Sequence, residues 1–341
     1  MAMQTRTALV IALLAQTSMP IVDVAAQSGF ASAQLLRQHW REVFGMTPSQ
    51  WRVGQSTKPE SQTAITVRLP LKGSYNMDWA FQYLEKRALE GIEEVDGHHY
   101  QRRVSFAGQP PVWVEVWGGR DGLHARLPLW QRPVYQWLER VVRLFDLRAD
   151  SGVIDSALAA CSPLLSQSVK QAPGLRVMGA WDGFETAVRG VLGQQVSVAR
   201  GTELANRMIQ TYGQGDFPSP GQLQSKEIAE LGMPGNRGRA IATMAAWVAK
   251  DGLELTEGAV AAEFVGRIGQ IKGIGPWTQN YLRLRVVKDA DAFPHNDWVV
   301  LKQLQVTPAA ARDIAEQWRP WRAYALMHLW RLAGLARQAR G

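Results

Sequence analysis

Apolar positions recur with a helical period over most of the chain and with a strand period over one early stretch. Near the start, Ala8 to Leu14 and Ile21 to Ala26 are short helical runs. Ser32 is placed to cap a third helix that runs to Phe44 with Leu35, Leu36, Trp40 and Phe44 as its apolar stripe, and Gly45 stops it. Residues 53–63 are polar, with Gly54, Ser56 and Pro59, and read as a linker. From residue 64 the period changes. Thr66 to Leu71 alternates as a strand, and a helix starts at Asp78 and runs to Glu90. Strands follow near 92–96, 99–106, 111–118 and 122–127, broken by Gly97, Gly108-Gln109-Pro110 and Gly118-Gly119, and a helix spans 132–144. Those elements predict an antiparallel sheet with two helices. From Ser151 onward everything reads as helix. Asp182 caps a helix carrying Phe184, Val188 and Leu192, and further helices lie near 198–212, 226–231, 237–250, 259–271, after Pro276, and near 298–304, 308–318 and 320–333. The predicted organisation is a helical segment at 1–52, a linker at 53–63, an α+β domain at 64–150 and an all-α domain at 151–341.

Composition narrows the class. With 341 residues, 46% hydrophobic and 20% charged, the chain has enough apolar material for two or three packed domains. A net charge of +8 favours a polyanionic partner, although on charge alone a basic protein with no nucleic-acid role fits as well. The single cysteine, Cys161, excludes a disulfide framework and a cysteine-built zinc or iron–sulfur site, and reads as a small buried hydrophobe. Arg6 followed by Ala8 to Ala15 resembles a secretion signal, but the next helices account for that segment better, and no run reaches the length of a membrane span.

The densest chemistry lies between residues 268 and 298. Ile268 and Ile271 end a helical period, Gly273-Ile274-Gly275 makes a tight turn, and Pro276 suits the first position of a new helix. Helix, glycine hairpin, helix leaves free N–H groups that can hold a phosphate. A tight helix corner without a ligand fits the same residues. Asp297 follows in a loop rich in aromatics and breakers, just before another helix, where it is either an N-cap or a working carboxylate. Asp289 and Asp291 sit in a polar stretch and read as solvated loop residues.

These residues resemble the helix-hairpin-helix/Gly-Pro/Asp superfamily of base-excision glycosylases, and within it the AlkA type, DNA-3-methyladenine glycosylase II. Supporting motifs are Val191-Leu192-Gly193-Gln194-Gln195-Val196-Ser197, Leu231-Gly232-Met233-Pro234, and Trp318-Arg319-Pro320-Trp321-Arg322-Ala323-Tyr324 followed by His328-Leu329-Trp330. The resemblance runs from about Thr66 to Trp330 and implies a multidomain α+β and all-α fold. A TATA-binding-like α+β domain would precede a helix-hairpin-helix glycosylase core. It further implies base flipping. Asp297 would be the catalytic carboxylate, stabilising positive charge on the sugar and orienting water. Gln195 would be the wedge that fills the gap in the duplex. Trp277, Tyr281, Trp298 and Trp330 would line the base pocket and attract a cationic alkylated purine by cation–π contact. Gly273, Ile274, Gly275 and Thr278 would grip the DNA backbone. Relatives bind an alkali ion, sodium or potassium, through carbonyls at positions matching Gly269, Ile271 and Ile274; no other cofactor is implied. Superfamily members that also nick the strand use a lysine where this chain has Trp277, so a monofunctional enzyme with water as nucleophile is expected.

The first 52 residues resemble the linking helix and second helix-turn-helix unit of AraC-type factors, notably Asp23-Val24-Ala25, Gly29-Phe30 and Phe44-Gly45-Met46-Thr47-Pro48. The first unit is missing, as is the Cys-rich domain of Ada-type adaptive-response proteins, so the segment reads as a truncated start or a degenerate remnant. Two further readings stay open: an alkylation-responsive regulator that reads DNA through Gln34, Arg37, Gln38 and Arg41, and a glycosylase for other damaged bases. The expected partner is double-stranded DNA carrying alkylated bases, with no membrane and no protein partner. The enzyme is expected to be a monomer in the bacterial cytoplasm, at the nucleoid.

Overall fold

The computed structural model describes residues 3–54, 63–106, 109–251 and 259–338. Most of the expected linker lies outside these. The chain forms two compact units, each discontinuous in sequence: Met1–Leu71 with Val95–Val142, and Lys72–Glu94 with Arg143–Gly341.

The first unit opens with four helices, α1 (Met3–Gln16), α2 (Ile21–Gln27), α3 (Ala33–Phe44) and α4 (Pro48–Val53). Ser32 caps α3 by accepting the Leu35 N–H, and Gly45 ends it at φ 69°, as the sequence signals require. The stripe differs from expectation at one position. Leu36 and Trp40 are buried, whereas Leu35 is 49% exposed. The added helix α4 carries a capping box, with Thr47 and Gln50 exchanging side-chain and backbone hydrogen bonds.

Strand β1 (Ala64–Leu69) follows, then helix α5 (Met77–Glu85), strands β2 (Glu93–Asp96), β3 (His99–Phe106), β4 (Gln109–Gly119) and β5 (Gly122–Pro128), and helix α6 (Val134–Leu144). The sheet order is β1-β5-β4-β3-β2. Its antiparallel register pairs Val67 with Ala125 and Ala125 with Val116. Period-two alternation buries Ile65, Val67 and Leu69 with Val114, Val116, Leu123 and Leu127, alongside Trp137 and Leu138 of α6. Edge strand β1 is covered by a side chain. Gln16 donates to Thr66 O (2.7 Å) and accepts the Thr66 N–H (2.8 Å), standing in for a neighbouring strand. Helix α5, expected as part of the α+β domain, packs with the second unit; it ends at Glu85, and turns follow to Gly91 at φ 73°.

The second unit is helical. It contains α7 (Ser151–Cys161), α8 (Pro163–Gln171), α9 (Gly183–Leu192), α10 (Val198–Met208), α11 (Pro220–Leu223), α12 (Gly235–Asp251), α13 (Ala259–Ile268), α14 (Pro276–Leu282), α15 (Trp298–Leu304), α16 (Pro308–Ala315) and α17 (Arg322–Gln338). Asp150, Ser162 and Asp182 cap α7, α8 and α9. One core gathers α9, α10, α12 and α13; another gathers α7, α8 and α15 to α17. Fully buried Arg176 donates to Ala149 O (2.5 Å) and Lys72 O (2.9 Å), so one guanidinium ties the entry of α5 to the stretch before α7. Cys161 is only half-buried, and its thiol donates to Ala157 O and Gln317 O. Asp289 and Asp291 are not simply solvated. Arg283 pairs with Asp289 at 2.5 Å, and Arg319 and Arg322 clamp Asp291 at 2.5 and 2.7 Å.

His328 on α17 is 1% exposed, with Nδ1 2.9 Å from Ser168 Oγ. Burial, and then the Arg331 guanidinium, push its imidazole down to about 4. Its ordinary value is 6.5, so between these values the unfolded chain binds the proton and the fold does not. Stability is therefore complete above pH 6.5 and falls as pH drops toward 4, by at most about 3 kcal/mol from this group. Urea midpoints of wild type and His328→Gln across this window test it: the variant should show a flatter acid slope, and an unchanged slope would exclude His328 as the cause.

Candidate active site

Four N–H groups converge on Asp297. It caps α15, where Oδ1 accepts from Val299 N (3.0 Å) and Val300 N (3.1 Å). The Trp330 indole donates to the same oxygen (3.2 Å), and the Trp277 indole donates to Oδ2 (2.8 Å). The N-cap expected of Asp297 is thus formed, with two indoles added to it. The carboxylate is 6% exposed. A carboxylate removed from water is costly unless its lone pairs are filled, and every hydrogen bond it makes here comes from an N–H donor, the complement of an anion.

Helix geometry sets this up. Pro276 opens α14, which puts Trp277 and Tyr281 one turn apart on one face, their rings stacked at 5.4 Å and 13°. The preceding turn needs glycine at Gly273, which sits at φ +102° and whose added Cβ would lie 3.2 Å from Asn236 O. Gly275 has open space around it and is the N-cap of α14, a helix with no side-chain cap. The first N–H groups of α14 therefore take no side-chain cap.

The structure redistributes several expected roles. Thr278, expected at the backbone grip, is 1% exposed, and its hydroxyl takes a hydrogen bond from Gln194 Nε2 (2.9 Å). Gln194 Nε2 also donates to Gly273 O (2.9 Å). The loop between α9 and α10 is thereby latched to the hairpin. Its neighbour Gln195 is exposed at φ 53°, a left-handed conformation that turns the chain sharply. Trp298 is 61% exposed, and Lys302 Nζ lies 4.8 Å from its ring centroid. Ile274 is buried.

A protein cation lies against two of the four expected pocket rings. Arg285, 1% exposed, sits 5.7 Å from the Tyr281 ring, 5.5 Å from Trp330 and 4.5 Å from Tyr83, and donates to Met178 O (2.6 Å). Sequence reasoning missed Gln194, Arg285 and Tyr83. The available signals were the paired glutamines and the i,i+4 spacing of Tyr281 with Arg285 and of Tyr83 with Arg87.

Comparison with known proteins follows the same lines. The AlkA N-terminal domain family matches residues 66–182, and a helix-turn-helix domain family matches residues 1–53. A Mycobacterium tuberculosis protein described as a probable bifunctional transcriptional activator/DNA repair enzyme AlkA is 33% identical over 93% of this chain and 68% of its own length. DNA-3-methyladenine glycosylase 2 of Escherichia coli is 32% identical over 76% of this chain and 95% of its own length. The chain belongs to the AlkA family. A 3-methyladenine DNA-glycosylase from Archaeoglobus fulgidus shares the fold, with a TM-score of 0.64 at 17% identity over 79% of this chain and 98% of the other.

In this AlkA-family chain, the indole N–H of Trp277 is separable from its ring. Trp277→Phe keeps the stack on Tyr281 and removes one charge-assisted hydrogen bond. Single-turnover base release, measured well below the melting temperature, should fall about tenfold to a hundredfold, and the melting temperature should drop as the buried Oδ2 loses its indole donor. A variant as fast as wild type would show that the 2.8 Å contact contributes nothing to the reaction.

Proposed function

We propose that this AlkA-family chain is a monofunctional DNA glycosylase that hydrolyses the N-glycosidic bond of alkylated purines in double-stranded DNA and leaves an abasic site. The observation that carries this is the buried Asp297 carboxylate, filled by two backbone and two indole N–H donors. As the base departs, positive charge develops on the deoxyribose, and a fixed, dry carboxylate stabilises it far better than water-exposed charge would. Four donors also occupy the carboxylate's lone pairs. Its contribution is therefore electrostatic first, with orientation of water second, which suffices because an oxocarbenium-like sugar is a strong electrophile.

The rest of the machinery supports that reading. Gln195 is exposed on a loop that its neighbour Gln194 latches to the hairpin, which supports a role for it in filling the gap left by a flipped nucleotide. The hairpin N–H groups and a net charge of +8 suit a phosphate backbone. Lysine chemistry is disfavoured: Trp277 stands after the hairpin, and Lys288 Nζ is committed to Asp146 Oδ1 (2.8 Å) and Val177 O (2.5 Å). For an alkali ion at the hairpin, the carbonyls of Gly269 and Ile274 carry no recorded hydrogen bond among the described residues, and that of Ile271 takes one from Ile274 N. Their unused lone pairs are consistent with such an ion, which would add positive charge beside the hairpin N–H groups. No helix among the described residues is long and apolar enough to cross a membrane. We read the enzyme as a monomer acting on cytoplasmic, nucleoid DNA.

A second reading adds to the first. Gln34, Arg37, Gln38 and Arg41 are all exposed on α3, one face of which is free to enter a major groove.

Asp297→Asn leaves one acceptor oxygen where four donors converge and removes the charge. Release of methylated purines from alkylated DNA should drop by about a hundredfold to a thousandfold or more, while binding to undamaged duplex persists. Full activity in this variant would end the proposal.

A further inference from the structure

The aromatic cluster that holds the carboxylate leads, through Arg285, to a second polar group that the reaction as described does not use. Tyr83 reaches the aromatic cluster from α5 and keeps part of its surface exposed. The Arg87 guanidinium lies 3.9 Å from its ring centroid and that of Arg285 lies 4.5 Å away. Arg285 links Tyr83 to Tyr281 and Trp330, and Trp330 and Trp277 hold Asp297. The cluster is therefore continuous from the catalytic carboxylate to the Tyr83 phenol.

Its charge runs against a cationic ligand. Arg189 is balanced by Glu185 (3.2 Å) and Glu93 (3.6 Å), but among the described residues no ion pair is recorded for Arg87 or Arg285. Arg285 Nε is buried without a hydrogen-bond partner. Two uncompensated guanidiniums and a hydroxyl thus face the same group of rings. A purine that is already cationic gains little there. A neutral purine accumulates negative charge as its glycosidic bond breaks, and both features stabilise that charge.

We propose that Tyr83 is a specificity-determining residue whose phenol, polarised by Arg87 and Arg285, donates a hydrogen bond to a ring nitrogen of a departing neutral purine. This rests on the glycosylase reading above and names the lesion class that the chain's own charges favour. The groups around the phenol act in concert. Burial alone would raise it; Arg285, Arg87, a hydrogen bond from the Tyr281 side chain, and Arg189 together bring it down to about 8. Tyr281 itself is pushed up, first by burial and then by the charge that Tyr83 takes on. Below pH 8 Tyr83 is a protonated, strengthened donor; above it the donor is lost.

The test compares single-turnover release of hypoxanthine and of 7-methylguanine from duplex oligonucleotides between pH 6 and about 9.5, a span bracketing the lowered phenol. Wild type should release hypoxanthine with an alkaline limb near pH 8, absent for 7-methylguanine. Tyr83→Phe, nearly isosteric, should lose about tenfold to a hundredfold on hypoxanthine, lose the limb, and act normally on 7-methylguanine. Tyr281→Phe should move the limb to higher pH, because the phenol it supports loses that hydrogen bond. Equal losses on both lesions, an unmoved limb in Tyr83→Phe, or no hypoxanthine release by wild type overturns the proposal. Failure of wild type on 7-methylguanine as well would instead overturn the glycosylase reading, and this inference with it.

Discussion

A carboxylate taken out of water and filled by N–H groups is the interaction on which this site depends. Asp297 could not sit buried without donors, and those donors come from three places in the chain: the start of α15, Trp277 on α14 and Trp330 on α17. Each element is held elsewhere for its own reasons. Pro276 and the Gly273 turn aim α14, and Arg319 and Arg322, clamped on Asp291, anchor the entry of α17. The acids near Asp297 are thereby consumed in structure: Asp289 and Asp291 are held by arginines, whereas Asp297 is met by neutral donors.

The indoles make this economical. A tryptophan N–H can donate but not accept, so it fills a carboxylate's lone pairs without offering a competing proton acceptor. Its ring meanwhile excludes water and stacks. Trp277 does both, with its N–H on Asp297 and its face on Tyr281. Anion and aromatic surface are then parts of one construction, and Arg285 behind the rings supplies the opposite charge at a distance set by packing.

Much of this was legible in the residues. The hairpin, the Ser32 and Asp182 caps, the alternation of the sheet and the position of Asp297 before a helix all follow from local chemistry acting over a few residues. Less legible were contacts between groups far apart in sequence: Gln194 with Gly273 and Thr278, Arg176 with Lys72 and Ala149, Gln16 with Thr66. No periodicity reports such pairs. Leu35 went the other way. A helical period counts it into the stripe, but which side of a stripe meets a partner depends on what packs there, and Leu35 lies on the open side.

By itself the sequence determined which elements form and which residue types stand at the hairpin, the loop and the Asp, because caps, glycine turns and apolar periods act locally. Only the tertiary structure decided what the aromatic residues do. Trp277 and Trp330 turn their N–H edges to Asp297, Trp298 stays largely exposed, and Tyr83 joins from a helix nearly two hundred residues earlier in the chain. The reason is directional. A ring's face, edge and N–H have different chemistry, and which of them meets a neighbour is set by the packing of whole helices.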